Sequence, residues 1–155
     1  MALFHLNVTQ IKRSKGQSAI AAAAYRAGEK LYSEYYGETS DYTNKGGVIC
    51  SEILLPDHAP KEYADRQILW NAVEKAERGK NAQLAYSFDI ALQNEFSIEE
   101  NIVLQGIFYW STSSPGVWWW TLPSMFRISN PVEYPILIFM LWHPSVLSKK
   151  TANGA

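Results

Sequence analysis

The chain has a single cysteine, Cys50, among its 155 residues. That excludes an intramolecular disulfide framework and fits a reducing, cytoplasmic setting. No cationic stretch followed by an apolar run opens the chain, so no secretory signal is read. The longest apolar run, Tyr134 to Trp142, is broken by Pro135. It falls well short of the ~20 residues that a membrane-spanning helix needs. The net charge is −1, so any nucleic-acid site must be a local patch rather than the whole molecule. His5, His58 and His143 are scattered, and none sits in an HxH or HxxxH pair. Charge itself is nearly missing from the last third: after Gln105 only Arg127, Glu133, Lys149 and Lys150 carry it. That third instead holds five of the six tryptophans and five of the seven prolines. Residues 1–104 therefore read as the body of one globular domain, and residues 105–155 as something else.

What is present points to an α+β class. Ala2 to Ile11 alternates Phe4, Leu6 and Val8 with His5, Asn7 and Thr9, the pattern of a strand with one apolar face. Lys12, Arg13 and Lys15 form a basic turn. Ser14 and Gln17 have capping-box spacing and predict a helix start there. Ile20, Ala24, Ala27 and Leu31 form an apolar stripe at helical spacing. Tyr25 falls on a different face, in line with Ser18, Ala21, Ala22, Glu29 and Tyr32. The segment 34–47 is polar and tyrosine-rich, an excursion or a loose hairpin. Val48 to Leu55 reads as a short strand. Pro60 suits a first helical turn, and Lys61 to Arg78 continues it with Leu69, Ala72, Val73 and Ala76 inward. Glu74, Glu77 and Arg78 read as its solvated face. Gln83 to Leu92 is the clearest strand, with Leu84, Tyr86 and Phe88 on one face and Ala85, Ser87 and Asp89 on the other. Ser97 and Glu100 form a second capping box, opening a helix at Ile98.

Two groups of residues are chemically suggestive. A tyrosine can attack a phosphodiester and keep the strand as a phosphotyrosine, provided a cation or metal supports the reaction. Tyr25 has Lys12, Arg13 and Lys15 nearby in sequence, and a helix N-terminus to help them hold phosphate. A tyrosine inside a helix is, however, ordinarily a packing residue. His5 and Asp89 lie on polar strand faces that line a site or simply satisfy hydrogen bonds. Tyr32, Tyr35, Tyr36 and Tyr42 either stack on unpaired bases or anchor a polar loop.

Residues 2–104 resemble the MobA/MobL family of plasmid mobilisation relaxases. The matching stretches are ALFHLNVTQIKRSKGQSAIAAAAYRAGEKLY, SEILLP, DRQILWNAVEKAE and NAQLAYSFDIALQNEF. The resemblance implies an antiparallel sheet with helices packed on it, and Tyr25's helix beside the polar sheet face. It implies site-specific nicking of single-stranded DNA at an origin of transfer, with Tyr25 as nucleophile and accessory mobilisation proteins as partners. Lys12, Arg13, Lys15, Gln17, Ser18 and Arg26 are the DNA-binding residues it points to. It also implies a divalent metal, Mg or Mn, held by an HxH on a strand after the helix that begins at Ile98. This sequence has no such motif, so the metal is not expected on this chain. In its place stand VWWWTLP and NPVEYPILIFMLW. Both stretches are compatible with a one-base frame slip. Trp118 to Trp120 must be encoded TGGTGGTGG, which one base earlier gives Met-Val-Val-Asp for suitable flanking codons. Asn130 to Leu141 can be encoded so that the same frame gives Pro-Gly-Gly-Ile-Pro-Asn-Pro-His-Phe-His-Ala. The expectation is a relaxase domain that is incomplete at its C-terminal end, inactive, and poorly packed over residues 105–155. The rival readings are a non-catalytic single-strand DNA-binding module and a membrane- or partner-binding protein acting through the aromatic tail.

Overall fold

The structure is a computed structural model that describes residues 6–55, 59–91, 95–104, 124–129 and 136–142. His5, His58 and His143 lie outside the described residues.

Among the described residues, seven strands form two antiparallel sheets. The larger has five strands: β1 (Leu6–Lys12), β5 (Gln83–Ala91), β7 (Ile136–Trp142), β6 (Ser124–Ser129) and β4 (Val48–Leu54), in that spatial order. Every pairing in it is antiparallel. Residues on both sides of position 104 therefore supply strands, with β7 between β5 and β6. The smaller sheet is a hairpin, β2 (Lys30–Ser33) with β3 (Glu38–Asp41). It realises the polar excursion after the first helix.

Helix α1 (Ala19–Ala27) and helix α2 (Arg66–Ala76) pack against each other. Ile20, Ala24, Ala27 and Leu31 are all buried, as the stripe predicts, but Leu31 is buried from β2 rather than from the helix. Gly28, at φ +66°, ends α1 in the left-handed region, and so the chain turns before Leu31. Ile11, Trp70, Leu69, Val73, Leu84 and Ala85 complete the core. Trp70 is the largest of the fully buried side chains among the described residues, and nothing in the apolar spacing of α2 singles it out.

Three local readings change. The helix starts at Ala19, not at the Ser14–Gln17 pair. Ser14 instead falls in a 3-10 turn, Arg13–Lys15, and Ser18 is the cap, accepting from Ala21 N at 3.1 Å. Gln17 Oε1 turns back to accept from Lys12 N at 3.0 Å. The segment before α2 is a 3-10 turn, Lys61–Ala64, and Asp65 caps α2 by accepting from Ile68 N. The Ser97–Glu100 capping box is present in both directions. Ser97 N donates to Glu100 Oε2 at 2.7 Å, and Glu100 N donates to Ser97 Oγ at 3.2 Å. Residues 98–104 are helical.

The largest correction is Glu74. It is not on a solvated face; it is 1% exposed. Its Oε1 accepts from Ser18 Oγ at 2.6 Å, Ala19 N at 2.8 Å and Ile20 N at 3.3 Å, and its Oε2 from Ser33 Oγ at 2.9 Å. A helix N-terminus has donors without helical partners and attracts an acidic group. Glu74 fills that role from a neighbouring helix. Gln67 and Asn71, on the same side of α2, hold the free edge of β2. Tyr32 N donates to Gln67 Oε1 at 2.9 Å, Asn71 Nδ2 to Tyr32 O at 2.8 Å, and Glu34 N to Asn71 Oδ1 at 2.9 Å. One polar stripe of α2 thereby fixes the start of α1 and the hairpin that follows it.

Candidate functional site around Tyr25

Helix α1 packs on the larger sheet at β4 and β6, and its Arg26 reaches the face of β5 that carries Ala85, Ser87 and Asp89, the polar face of the sequence pattern. Ala85 and Ser87 are buried there, whereas Val8, on the apolar side of the β1 alternation, is 49% exposed. Arg26 Nη1 then reaches down to Asp89 Oδ1 at 3.3 Å. Asn7 Nδ2 donates to Asp89 Oδ2, also at 3.3 Å. Burial pulls the Arg26 guanidinium below its ordinary range, and the Asp89 carboxylate beside it opposes that shift.

Tyr25 is one residue away and faces outward, 50% exposed. It is not a core residue. Its ring meets Tyr42 edge to face, with centroids 5.2 Å apart and planes at 87°. Lys45 Nζ stands 3.0 Å from the Tyr25 ring centroid and donates to Tyr25 O at 3.1 Å. That carbonyl belongs to the last turn of α1, where carbonyls lack helical donors and cations are favoured. The loop bearing Tyr42 and Lys45 docks there because Gly28 allows it. A Cβ at Gly28 would lie 3.1 Å from Val48 Cγ2 and 3.7 Å from both Lys45 O and Tyr42 O.

The residues singled out from sequence do not converge on one place. Lys15 and Gln17 are exposed and Lys12 half-buried at the N-terminal end of α1, with Ser18 as its cap. Tyr25 and Arg26 sit at the other end, roughly 9 Å along the axis at a rise of ~1.5 Å per residue. Arg13 is corrected outright as a surface phosphate contact. It is 8% exposed, and its Nη2 donates to Glu74 O at 2.8 Å. Its Nη1 donates to Glu77 O and, at 3.4 Å, to Gly79 O. Tyr35 covers the guanidinium at 4.1 Å and packs edge-on against Tyr36. Tyr35 and Tyr42 thus have protein partners of their own. Lys45 went unnoticed in the sequence. Its only signal there is a lone lysine before two glycines. Burial, then Glu52, pushes the Cys50 thiol up, which favours the protonated form.

The donor set beside Asp89 does not suit a hard divalent ion. The register pairs Asp89 with Ile138 and Ser87 with Met140 on β7. Neither Ile nor Met offers oxygen or nitrogen, and a thioether suits soft metals. Asp89 is already engaged by Arg26 and Asn7, while Ser87 Oγ is buried with no hydrogen-bond partner. Among the described residues no three His, Cys, Asp or Glu side chains group as a metal site, and no helix is long and apolar enough to cross a membrane.

Comparison with known proteins agrees with this architecture. The mobilization protein MobL of Acidithiobacillus ferridurans is 42% identical over 104 residues, 67% of this chain and 27% of that protein. The probable mobilization protein MobA of Bifidobacterium longum is 39% identical over 102 residues, 66% of this chain and 18% of that protein. The conjugal transfer protein TraA of Rhizobium radiobacter is 40% identical over 114 residues, 67% of this chain and 10% of its own length. This chain therefore spans about a quarter or less of each of these relatives. A solved structure concerned with the molecular basis of vancomycin resistance transfer in Staphylococcus aureus superposes with a TM-score of 0.80 at 32% identity. It covers 91% of this chain and 70% of its own. The MobA/MobL family matches residues 17–113, from the turn before α1 through β5 and beyond, and the chain belongs to that family.

Proposed function

We propose that this domain engages single-stranded DNA at a plasmid origin of transfer, with Tyr25 as the residue that meets the scissile phosphate. The observation that carries this is the placement of Tyr25: outward-facing, at the end of α1, with an ammonium against its ring. In the full reaction Tyr25 Oη bonds to phosphorus and the bond from phosphorus to the 3′ oxygen breaks. The 5′ phosphate stays on the tyrosine and the 3′ hydroxyl leaves, taking a proton in exchange for the one that Tyr25 gives up. Arg26 and Asp89 fix the helix above β5 and hold their charges beside the reacting group. Lys12, Lys15, Gln17 and Ser18 lie at the far end of α1, where a strand running along the helix would pass. Accessory mobilisation proteins and a cytoplasmic setting go with this reading.

In this chain the DNA-engaging half of the reaction is retained and the cutting half is lost. Asp89 and Ser87 pair in register with Ile138 and Met140, residue types without an oxygen or nitrogen ligand, so β7 supplies no ligand for a Lewis acid next to Asp89. The frame-slip reading accounts for this. Taken codon by codon, its shifted His-Phe-His falls on positions 138, 139 and 140, and so its histidines fall on the register partners of Asp89 and Ser87. A Mg or Mn site of the kind implied for the family would then sit next to Asp89. The nucleotide sequence across codons 105–141 tests it. The alternative frame is expected to contain the HxH at codons 138–140, and a frame without it would refute the slip. The DNA-binding half is tested by titrating the purified chain with a labelled single strand in EDTA: salt-dependent binding is expected, and none would refute it.

A further inference from the structure

The cations read from sequence lie at the wrong end of α1 to serve Tyr25, and Arg26 is committed to Asp89. The cation that the fold brings to the tyrosine is Lys45, from the loop between β3 and β4. Three of its contacts hold it there. Its backbone N donates to Tyr42 O at 3.0 Å, its Nζ donates to Tyr25 O at 3.1 Å, and the same ammonium lies over the Tyr25 ring. The approach to this loop is open: a Cβ added at Gly46 would meet nothing within 4 Å. Gly47, at φ +80°, turns the chain away into β4. An ammonium is a compact point charge with three donors on a flexible stem. Held against the ring, it is positioned to meet any phosphate that approaches Tyr25.

We infer that Lys45 is a phosphate-holding residue for single-stranded DNA at Tyr25, and that it keeps this role in a chain whose β7 carries no metal ligands. The inference rests on the proposal that Tyr25 meets DNA. On approach of the strand, a non-bridging phosphate oxygen takes the place of the ring as the ammonium's partner, while Tyr25 O keeps it at the helix end. No bond is made or broken in this step, and it needs no metal.

The test is fluorescence anisotropy with a short fluorescein-labelled single strand of mixed sequence, in EDTA, from about 50 to 200 mM NaCl. Lys45→Gln is expected to weaken binding roughly three- to tenfold at the low-salt end. It should also flatten the slope of log K against log salt by about 0.7, the change for one phosphate contact on a single strand. Lys45→Arg should restore the slope, and Lys75→Gln, exposed on α2, should leave it unchanged. Gly46→Glu places a carboxylate in the open approach and should weaken binding without removing Lys45, so the inference stays testable should Lys45→Gln fold poorly. Salt-dependent binding by the unaltered chain that neither Lys45→Gln nor Gly46→Glu changes would overturn the role of Lys45 and leave the DNA reading standing. No binding by the unaltered chain would overturn both.

Discussion

At the N-terminal end of α1, a buried carboxyl gathers four donors from two other elements. At its C-terminal end, Tyr25 stands half exposed against a tyrosine edge and a lysine. The two ends belong to one nine-residue helix. The first is over-determined: removing Glu74 would strand Ser18 Oγ, Ser33 Oγ and two backbone N–H groups in the interior. The second is held by contacts at the surface, an aromatic edge and one lysine. A short helix cannot be stable by itself. Anchoring one end in the core lets the other present an exposed side chain without folding energy depending on it.

The largest effect that separates the ends is expected at Glu74. Glu74→Ala leaves several buried donors unpaired and should cost about 3 kcal/mol or more. For a chain of this size that lowers the melting temperature by roughly 10 °C. A fall of only a degree or two by circular dichroism would mean that α1 is not anchored there. Gly28→Ala comes next. A left-handed φ and a Cβ 3.1 Å from Val48 Cγ2 should cost about 1–2 kcal/mol and displace the loop that carries Tyr42 and Lys45. Its mark is a shift in the amide signals of residues 42–48 with β1 and β5 unmoved. An unperturbed loop would show that Gly28 is not what lets it dock. Tyr25→Phe should do least, staying within about 0.5 kcal/mol of the unaltered stability, because the lost hydroxyl is at the surface. A large loss would place Tyr25 in the core and erase the contrast between the two ends.

Much of this was legible beforehand. The strand alternation of β5, the apolar stripe of α1, the polar hairpin and the Ser97–Glu100 cap all follow from periodicity and capping chemistry, which are local. The resemblance implies Tyr25's helix beside the polar sheet face, and Arg26 of that helix meets Asp89 on that face of β5. The failures are non-local. Ser18 caps α1 instead of Ser14 because Glu74, far along the chain, needs Ser18's hydroxyl and the donors beside it. Glu74 reads as solvated because it shares a charged face with Glu77 and Arg78, while the hydroxyls it meets, on Ser18 and Ser33, lie far off in sequence. Arg13 reads as one more cation in a basic run, yet carbonyls at the end of α2 draw it inward. Lys45 offers no pattern at all until Gly28 and Gly47 bring its loop to the end of α1. The sheet shows the same divide at β7. A continuous apolar run and backbone pairing suffice to seat Ile136–Trp142 beside β5, but they say nothing of what chemistry positions 138 and 140 supply.

The most direct test is whether this chain becomes covalently joined to DNA. Purified protein is incubated with an origin-derived single strand and Mn or Mg, then analysed on a denaturing gel. The expected result is DNA bound under native conditions but no denaturant-resistant adduct. The chain carrying Ile138→His with Met140→His is expected to gain divalent-ion affinity and a Tyr25-dependent adduct. A robust, metal-dependent adduct at Tyr25 formed by the unaltered chain would contradict the account.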